Sequence, residues 1–270
     1  MKNNTKLGAA LAVLGFLAGI LCLYFLAQTY NTVIHTHFAA GQWEESNTVR
    51  IVYAVLGWLG TAAGALSLTV LWGFLNKQDW AWFWGAVAAT ILLLTGFFPA
   101  IPAMDSHLPT PTLAVFGMAL VMWFGMLIIG GVDRKIITLT FIAGLAYVLT
   151  FIDGVAPISK FQTTFQSAET FVQNQNAFWN GMYVILQQVS WWGAAAWAIF
   201  IFAAFKQKSW AIPVGIFAAA MSMIGGYPMG LYNMTEVGRF SMFLPAPILS
   251  TGLLIYLLLP STRRMLENRA

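Results

Sequence analysis

The sequence predicts an all-α integral membrane protein, with eight transmembrane helices built as two tandem four-helix repeats in parallel orientation. Three observations lead there. Hydrophobic residues make up 59% of the 270 and charged residues only 8%, against roughly 25% charged in soluble domains, and the mean hydropathy is +0.74. Apolar segments of the about 20 residues that a helix needs to cross a bilayer recur along the whole chain, which leaves no room for a separate soluble catalytic domain. The third observation is that a set of short words occurs twice, in the same order.

The later copy reads Lys206-Gln207-Lys208-Ser209-Trp210-Ala211, then Gly225-Gly226-Tyr227-Pro228, then Leu244-Pro245-Ala246-Pro247. The earlier copy reads Lys77-Gln78-Asp79-Trp80-Ala81, then Gly96-Phe97-Phe98-Pro99, then Leu108-Pro109-Thr110-Pro111. Upstream of both, Trp58-Leu59-Gly60-Thr61-Ala62-Ala63 faces Trp191-Trp192-Gly193-Ala194-Ala195-Ala196. The offsets are 130 from Trp80 to Trp210, 129 from Pro99 to Pro228, 133 from Trp58 to Trp191 and 136 from Pro109 to Pro245. Such a drift is what small loop insertions produce. The reading divides the chain into a first four-helix repeat, 1–132, and a second, 133–270, with a basic tail.

Taken in order, the apolar run 7–27 follows a short polar start and exceeds the roughly 7–15 residues of a signal-peptide core, so it is expected to be the first membrane helix. Residues 28–50 are polar enough to predict a connection holding His35, His37, Glu44 and Glu45. The second and third helices are expected over 51–74 and 80–103, a Pro-rich turn over 105–112 and the fourth helix over 113–131. After the charged turn Asp133-Arg134-Lys135 comes a fifth helix over 136–152. The longest connection, 153–177, interleaves glutamines with Phe161, Phe165 and Phe171, a spacing that predicts a short amphipathic helix at the membrane surface. The sixth, seventh and eighth helices are expected over 178–205, 210–234 and 244–259, with a basic tail from Pro260.

Lysine and arginine are retained on the cytoplasmic side of short loops. With the N-terminus inside, ten of the 13 basic residues fall on inside segments, and only Arg50, Lys160 and Arg239 fall outside. Both termini are therefore expected in the cytoplasm, in a bacterial or archaeal plasma membrane. The sequence pI near 9.3 follows from this topology, and no nucleic-acid partner is implied. Because each repeat holds an even number of spans, the two should be related by a pseudo-two-fold axis along the membrane normal.

Charged side chains within spans mark ion and proton paths because they are costly in hydrocarbon. The predicted spans contain none: Asp79, Asp105, Asp133, Asp153, Glu169 and Glu236 are all assigned to turns or helix ends. Milder polar residues remain. Gln187, Gln188 and Ser190 stand beside Trp191 in the sixth helix, and Gln187 and Ser190, three apart, share a face. Tyr227, Tyr232 and Asn233 come late in the seventh, where Asn233-Met234-Thr235 also matches a glycosylation acceptor. Pro99 and Pro228 are expected to interrupt the third and seventh helices at matching places, and paired interruptions in two repeats point to a binding site. These nine residues form the candidate ligand site, read against the alternative of interhelical hydrogen bonds that only stabilise packing.

His35, His37 and His107 are all expected on the outer side, where imidazoles could hold zinc or copper, although a His-x-His pair with no element to hold it matches no specific metal spacing. Trp43, Trp72, Trp80, Trp82, Trp179 and Trp210 fall at predicted span ends and fit an interfacial aromatic belt. Trp58, Trp123, Trp191, Trp192 and Trp197 lie deeper. Cys22, the single cysteine, has no partner for an intrachain disulfide.

Three functions fit these residues. The first is binding or transport of an apolar or amphiphilic small molecule, of lipid or quinone type, at an outward-facing cleft between the repeats. The second is a non-catalytic accessory or structural subunit of a larger membrane complex, with other subunits or self-association covering its apolar faces. The third is a membrane-embedded metalloenzyme using the outer histidines. No cofactor is indicated, and membrane lipids are the one partner common to all three.

The topology is directly measurable. In a Cys22→Ser background, Arg239→Cys is expected to react with a membrane-impermeant maleimide in intact cells, and Arg263→Cys only after permeabilisation. The opposite pattern would invert the orientation.

Overall fold

The computed structural model describes residues 5–157 and 177–266. The amphipathic helix expected around Phe161, Phe165 and Phe171 lies outside the described residues. The chain forms two compact units, Met1–Asp133 and Arg134–Ala270. Among the described residues seven helices are long and apolar enough to cross a membrane, or up to eight if one sharply bent pair counts as a single span.

In the first unit α1 runs Thr5–Ala39 and α2 Trp43–Leu75. The connection expected over 28–50 is thus helical but for Ala40–Gln42, and His35 and His37 ride on the last turns of α1. The polar residues of that stretch hide a stripe: Leu26, Val33, Ile34 and His37 are buried, and such helical spacing continues the packed face beyond the membrane-length run. Gly41, at φ +78°, then closes the helix, with its N–H donating to the Phe38 carbonyl and that of Gln42 to the His37 carbonyl, a left-handed cap that glycine adopts without strain.

The helices of this hairpin meet backbone to backbone. A Cβ built on Gly19 would lie 2.5 Å from Gly64 Cα, and one on Gly60 would lie 2.5 Å from Cys22 Sγ. Small residues permit this approach, which lipid-buried helices use in place of a hydrophobic driving force.

The third span is made of α3, Ala81–Phe97, and α4, Ala100–Asp105, with the interruption at Phe98-Pro99 where proline removes a donor. The carbonyl four residues before Pro99, that of Thr95, faces Cys22 Sγ at 4.0 Å. The Pro99 carbonyl itself accepts the Tyr53 hydroxyl at 2.7 Å. α5, Thr112–Ile129, completes the unit. α1 packs on α2 and α5, α3 packs on α2 and α5, and α1 touches α3 across the middle.

In the second unit α6 is Arg134–Val155. The next span is α7, Ala177–Leu186, a 3₁₀ turn, Gln187–Val189, and α8, Ser190–Phe205. α9 is Ala211–Val237, α10 Pro245–Leu258 and α11 Pro260–Leu266. α6 packs on α8 and α10, and α9 packs on α8 and α10. Two expectations change here. Pro228 does not end its helix: α9 continues through it to Val237, because Pro228 costs only the Ile224 carbonyl its i+4 donor while neighbouring helices hold the remainder. The eighth helix is shorter than expected. α10 has 14 residues, about 21 Å at 1.5 Å per residue, and Leu259 turns extended before Pro260, as a residue preceding proline prefers. α11 then leaves at 82°.

The turns 73–84 and 203–214 share one hydrogen-bond pattern. Lys77 and Gln207 both have positive φ, 55° and 46°. Their N–H groups donate to Phe74 and Ala204, those of Gln78 and Lys208 to Gly73 and Ala203, and those of Ala81 and Ala211 to Gln78 and Lys208.

Glycine contacts give a matched pair of tests. Gly19→Ala forces a methyl against backbone and is expected to destabilise the protein by about 1–3 kcal/mol in SDS-driven unfolding. Gly117→Ala, with nothing within 4 Å of an added Cβ, is expected to be neutral or stabilising by up to about 1 kcal/mol. Equal effects would mean that close approach at Gly19 does not hold the hairpin.

Candidate functional site

Inside hydrocarbon a polar side chain must find its hydrogen bonds within the protein. The first unit does so. Buried Trp123 donates its indole N–H to Thr90 Oγ1 at 3.2 Å, and Ser67 and Thr90 each donate to a carbonyl one turn back. All seven buried side-chain N or O atoms lacking a hydrogen-bond partner, among the described residues, belong to the second unit. Four of them, Asp153 Oδ2, Gln187 Nε2, Gln187 Oε1 and Ser190 Oγ, come from one layer where α6, the 3₁₀ turn and α9 meet.

That layer is built from the helix crossings outward. Thr150 of α6 meets Gly193 of α8, where an added Cβ would lie 3.0 Å from Thr150 Cγ2 and 3.1 Å from the Ser222 nitrogen of α9. The Thr150 and Ser222 hydroxyls lie 2.9 Å apart and bond to each other. One turn further along α6, the Gly154 carbonyl accepts the Gln188 amide at 3.4 Å, and the Trp191 indole lies 3.3 Å from where a Gly154 Cβ would be. Asp153, adjacent to Gly154, therefore stands level with the 187–190 turn. On the opposite side of that turn, Ser190 Oγ lies 2.5 Å from the Cβ position of Gly225. A side chain at 225 would collide with that hydroxyl.

Asp153 is the principal correction to the sequence reading, which assigned it to a connection. It is 2% exposed, within α6. Its flanks are Phe151-Ile152 and Gly154-Val155, so apolar chain on both sides was the available signal that the helix continues past it. Gln187 and Ser190 are fully buried. The crossing of Thr150, Gly193 and Ser222 lies near the middle of its spans, Gly193 being the central residue of Gly181–Phe205 and Ser222 one residue from the centre of Ala211–Thr235, while Asp153 stands two residues from the end of α6.

The remaining candidates are placed as follows. Trp191 packs edge-on against Phe151, with ring centroids 5.0 Å apart. The Tyr227 hydroxyl bonds to Thr251 Oγ1 at 2.8 Å, joining α9 to α10. Tyr232 stacks on Trp179 at 4.1 Å, and Asn233 donates to Ser241 Oγ at 3.1 Å, holding the turn before α10. These three are committed to internal contacts, whereas Gln187 and Ser190 retain unused hydrogen-bonding capacity. Pro228 is half-buried in α9, and Pro99 is buried in the first unit. Gln187, Ser190, Tyr227 and Asn233 all belong to the second unit, so they do not face one another from different units.

His37 is 3% exposed, with Nδ1 2.8 Å from Gln42 Oε1 and Nε2 3.1 Å from Ser106 Oγ and 3.2 Å from the Pro102 carbonyl. It ties the end of α1 to α4. His35 and His107 are exposed. No group of three or more His, Cys, Asp or Glu side chains able to hold a metal ion occurs among the described residues. Of the deeper tryptophans, Trp123 and Trp197 are buried while Trp58 and Trp192 are more than half exposed, facing outward from their own units.

Buried polar atoms without partners cost stability. Gln187→Leu removes two buried polar atoms without partners and is expected to raise the stability of the empty protein by about 1–3 kcal/mol, measured by thermal unfolding in detergent. A loss of stability would identify Gln187 as a packing residue instead.

Comparisons with known protein families, with curated proteins and with solved structures found no match to this chain.

Proposed function

We propose that this multi-pass membrane protein binds or transports an amphiphilic small molecule, whose polar head is received by the Asp153, Gln187 and Ser190 layer of the second unit. The observation that carries the reading is the four orphaned polar atoms at one level of a membrane bundle. An unsatisfied polar group in hydrocarbon costs several kcal/mol, and a bound head group with its own donors and acceptors offsets that cost. Two further features support it. The span containing Gln187 changes from α to 3₁₀ winding at this level, and interrupted spans are where secondary transporters build their sites. The apolar remainder of such a ligand suits the surrounding Phe151 and Trp191.

The architecture we attach to this reading is two tandem four-helix copies, eight spans with both termini cytoplasmic, in a prokaryotic plasma membrane. Its support is the shared hydrogen-bond pattern of the turns at Lys77 and Gln207 and the same cyclic order of helix packing in each unit. One copy then provides structure, with its polar groups internally paired, and the other has diverged into the site.

Native mass spectrometry of the protein released from its host membrane tests this. The expected result is a retained small-molecule mass at one per chain, lost in Gln187→Leu and kept in Tyr227→Phe, whose hydroxyl serves α10. Retention unaffected by Gln187→Leu, or release as a fixed complex with other proteins and no small molecule, would overturn it.

A further inference from the structure

The other end of the second unit carries a groove. α6 and α8 run in opposite directions, since Thr150 meets Gly193 while Gly154 meets Gln188 and Trp191. The short connections 206–210 and 238–244 reverse the chain twice more, so α10 runs antiparallel to α6, on which it packs. The first turn of α6 therefore lies beside the last turn of α10. Along this pair runs a groove of about 550 Å³, lined by residues of these two helices alone. That volume is within the roughly 300–1,000 Å³ of small-molecule sites.

The groove has two chemically distinct parts. At its end stand Lys135 and Tyr256, both exposed. Thr138 is one turn further along α6, but its hydroxyl already donates to the Arg134 carbonyl at 3.0 Å, so the donors offered there are an ammonium and a phenol. Beyond them the lining is aliphatic, with Leu139 and Ile142 from α6 and Ile248 and Leu253 from α10. Gly252 keeps the groove open, with nothing within 4 Å of an added Cβ. From Tyr256 to Ile248 α10 advances about 12 Å at 1.5 Å per residue, most of the ~15 Å of hydrocarbon in one leaflet. The charge of this end has one sign. Arg134, Lys135, Lys206, Lys208, Arg263 and Arg264 all belong to it, while Asp153 and Glu236, the acids among the described residues of the second unit, belong to the far end. Asp133, just before Arg134, is the nearest acid along the chain.

We propose that this groove holds an anionic phospholipid of the surrounding bilayer, with its phosphate at Lys135 and Tyr256 and one acyl chain along α6 and α10. The site is separate from the Asp153, Gln187 and Ser190 layer and does not depend on it. Basic pockets between membrane helices suit anionic head groups, whereas a zwitterionic head would bring its own cation against an end of like charge. A soluble anion would leave the aliphatic part unfilled. A second copy docked by two-fold symmetry would set the same basic end against itself.

The test uses the full chain in nanodiscs of phosphatidylcholine and phosphatidylglycerol in equal parts, with pure phosphatidylcholine as reference. Native mass spectrometry is expected to show one phosphatidylglycerol retained per chain, and Tm is expected to be higher in the mixed nanodiscs, as for a ligand that binds only the folded state. Inorganic phosphate added to the pure phosphatidylcholine sample should leave Tm unchanged. Lys135→Gln should cut the preference for phosphatidylglycerol about fivefold, the share of one basic residue at an anionic surface. Gly252→Leu fills the groove and should abolish retention, while its Tm in phosphatidylcholine stays at or above that of the unmodified chain. Gln187→Leu should leave phosphatidylglycerol retention intact, which keeps this site distinguishable from the polar layer. Equal retention of the two lipids, a preference kept in either Lys135→Gln or Gly252→Leu, stabilisation by inorganic phosphate alone, or a dimer carrying no lipid would each overturn the proposal.

Discussion

Everything in this structure depends on one constraint: in hydrocarbon a polar group has no water to turn to. The backbone answers it by being helical almost throughout, and the exceptions are instructive. Where Pro99 takes away a donor, Cys22 approaches the freed Thr95 carbonyl and Tyr53 donates to the Pro99 carbonyl. Where α1 ends, His37, Gln42 and Ser106 close a small network with the Pro102 carbonyl. Interruptions in the first unit are thus repaired by side chains from a neighbouring helix, and the buried groups cost little.

The second unit departs from this economy at one level. Thr150 and Ser222 satisfy each other, but Asp153, Gln187 and Ser190 do not. A chain can carry such a defect when stability elsewhere offsets it, and close helix packing is where that offset arises. Gly193 and Gly225 let α8 and α9 approach until side chains meet backbone. The same glycines that tighten the bundle also confine the polar layer, so a substitution at either would repack the candidate site together with the helix crossing.

Part of the fold was legible in the residues because composition and hydropathy act locally. A run of apolar residues about as long as a bilayer is thick can be satisfied only as a helix, so the cores of the seven long spans stand where the apolar runs place them. Boundaries were less legible. Residues 28–39 look polar on average, yet Val33, Ile34 and His37 form a buried stripe on α1, and a mean over a window does not record which face a residue occupies. Pro228 misled in the opposite direction, since a proline marks a lost hydrogen bond without saying whether the surrounding bundle will hold the helix together.

By itself the sequence determined that the chain is a helical membrane protein, where most spans lie, and that Gln187 and Ser190 share a helix face, because each follows from hydrophobic run length or helical periodicity. Only the tertiary structure decided which polar groups are paired. Tyr227, Tyr232 and Asn233 looked equivalent to Gln187 along the chain, but their partners come from residues between 8 and 53 positions away. Asp153 joined the layer for the same reason: its burial depends on α6 continuing past it and on the 187–190 turn lying level with it. Hydrogen-bond satisfaction is a property of where distant segments meet, and no local pattern encodes it.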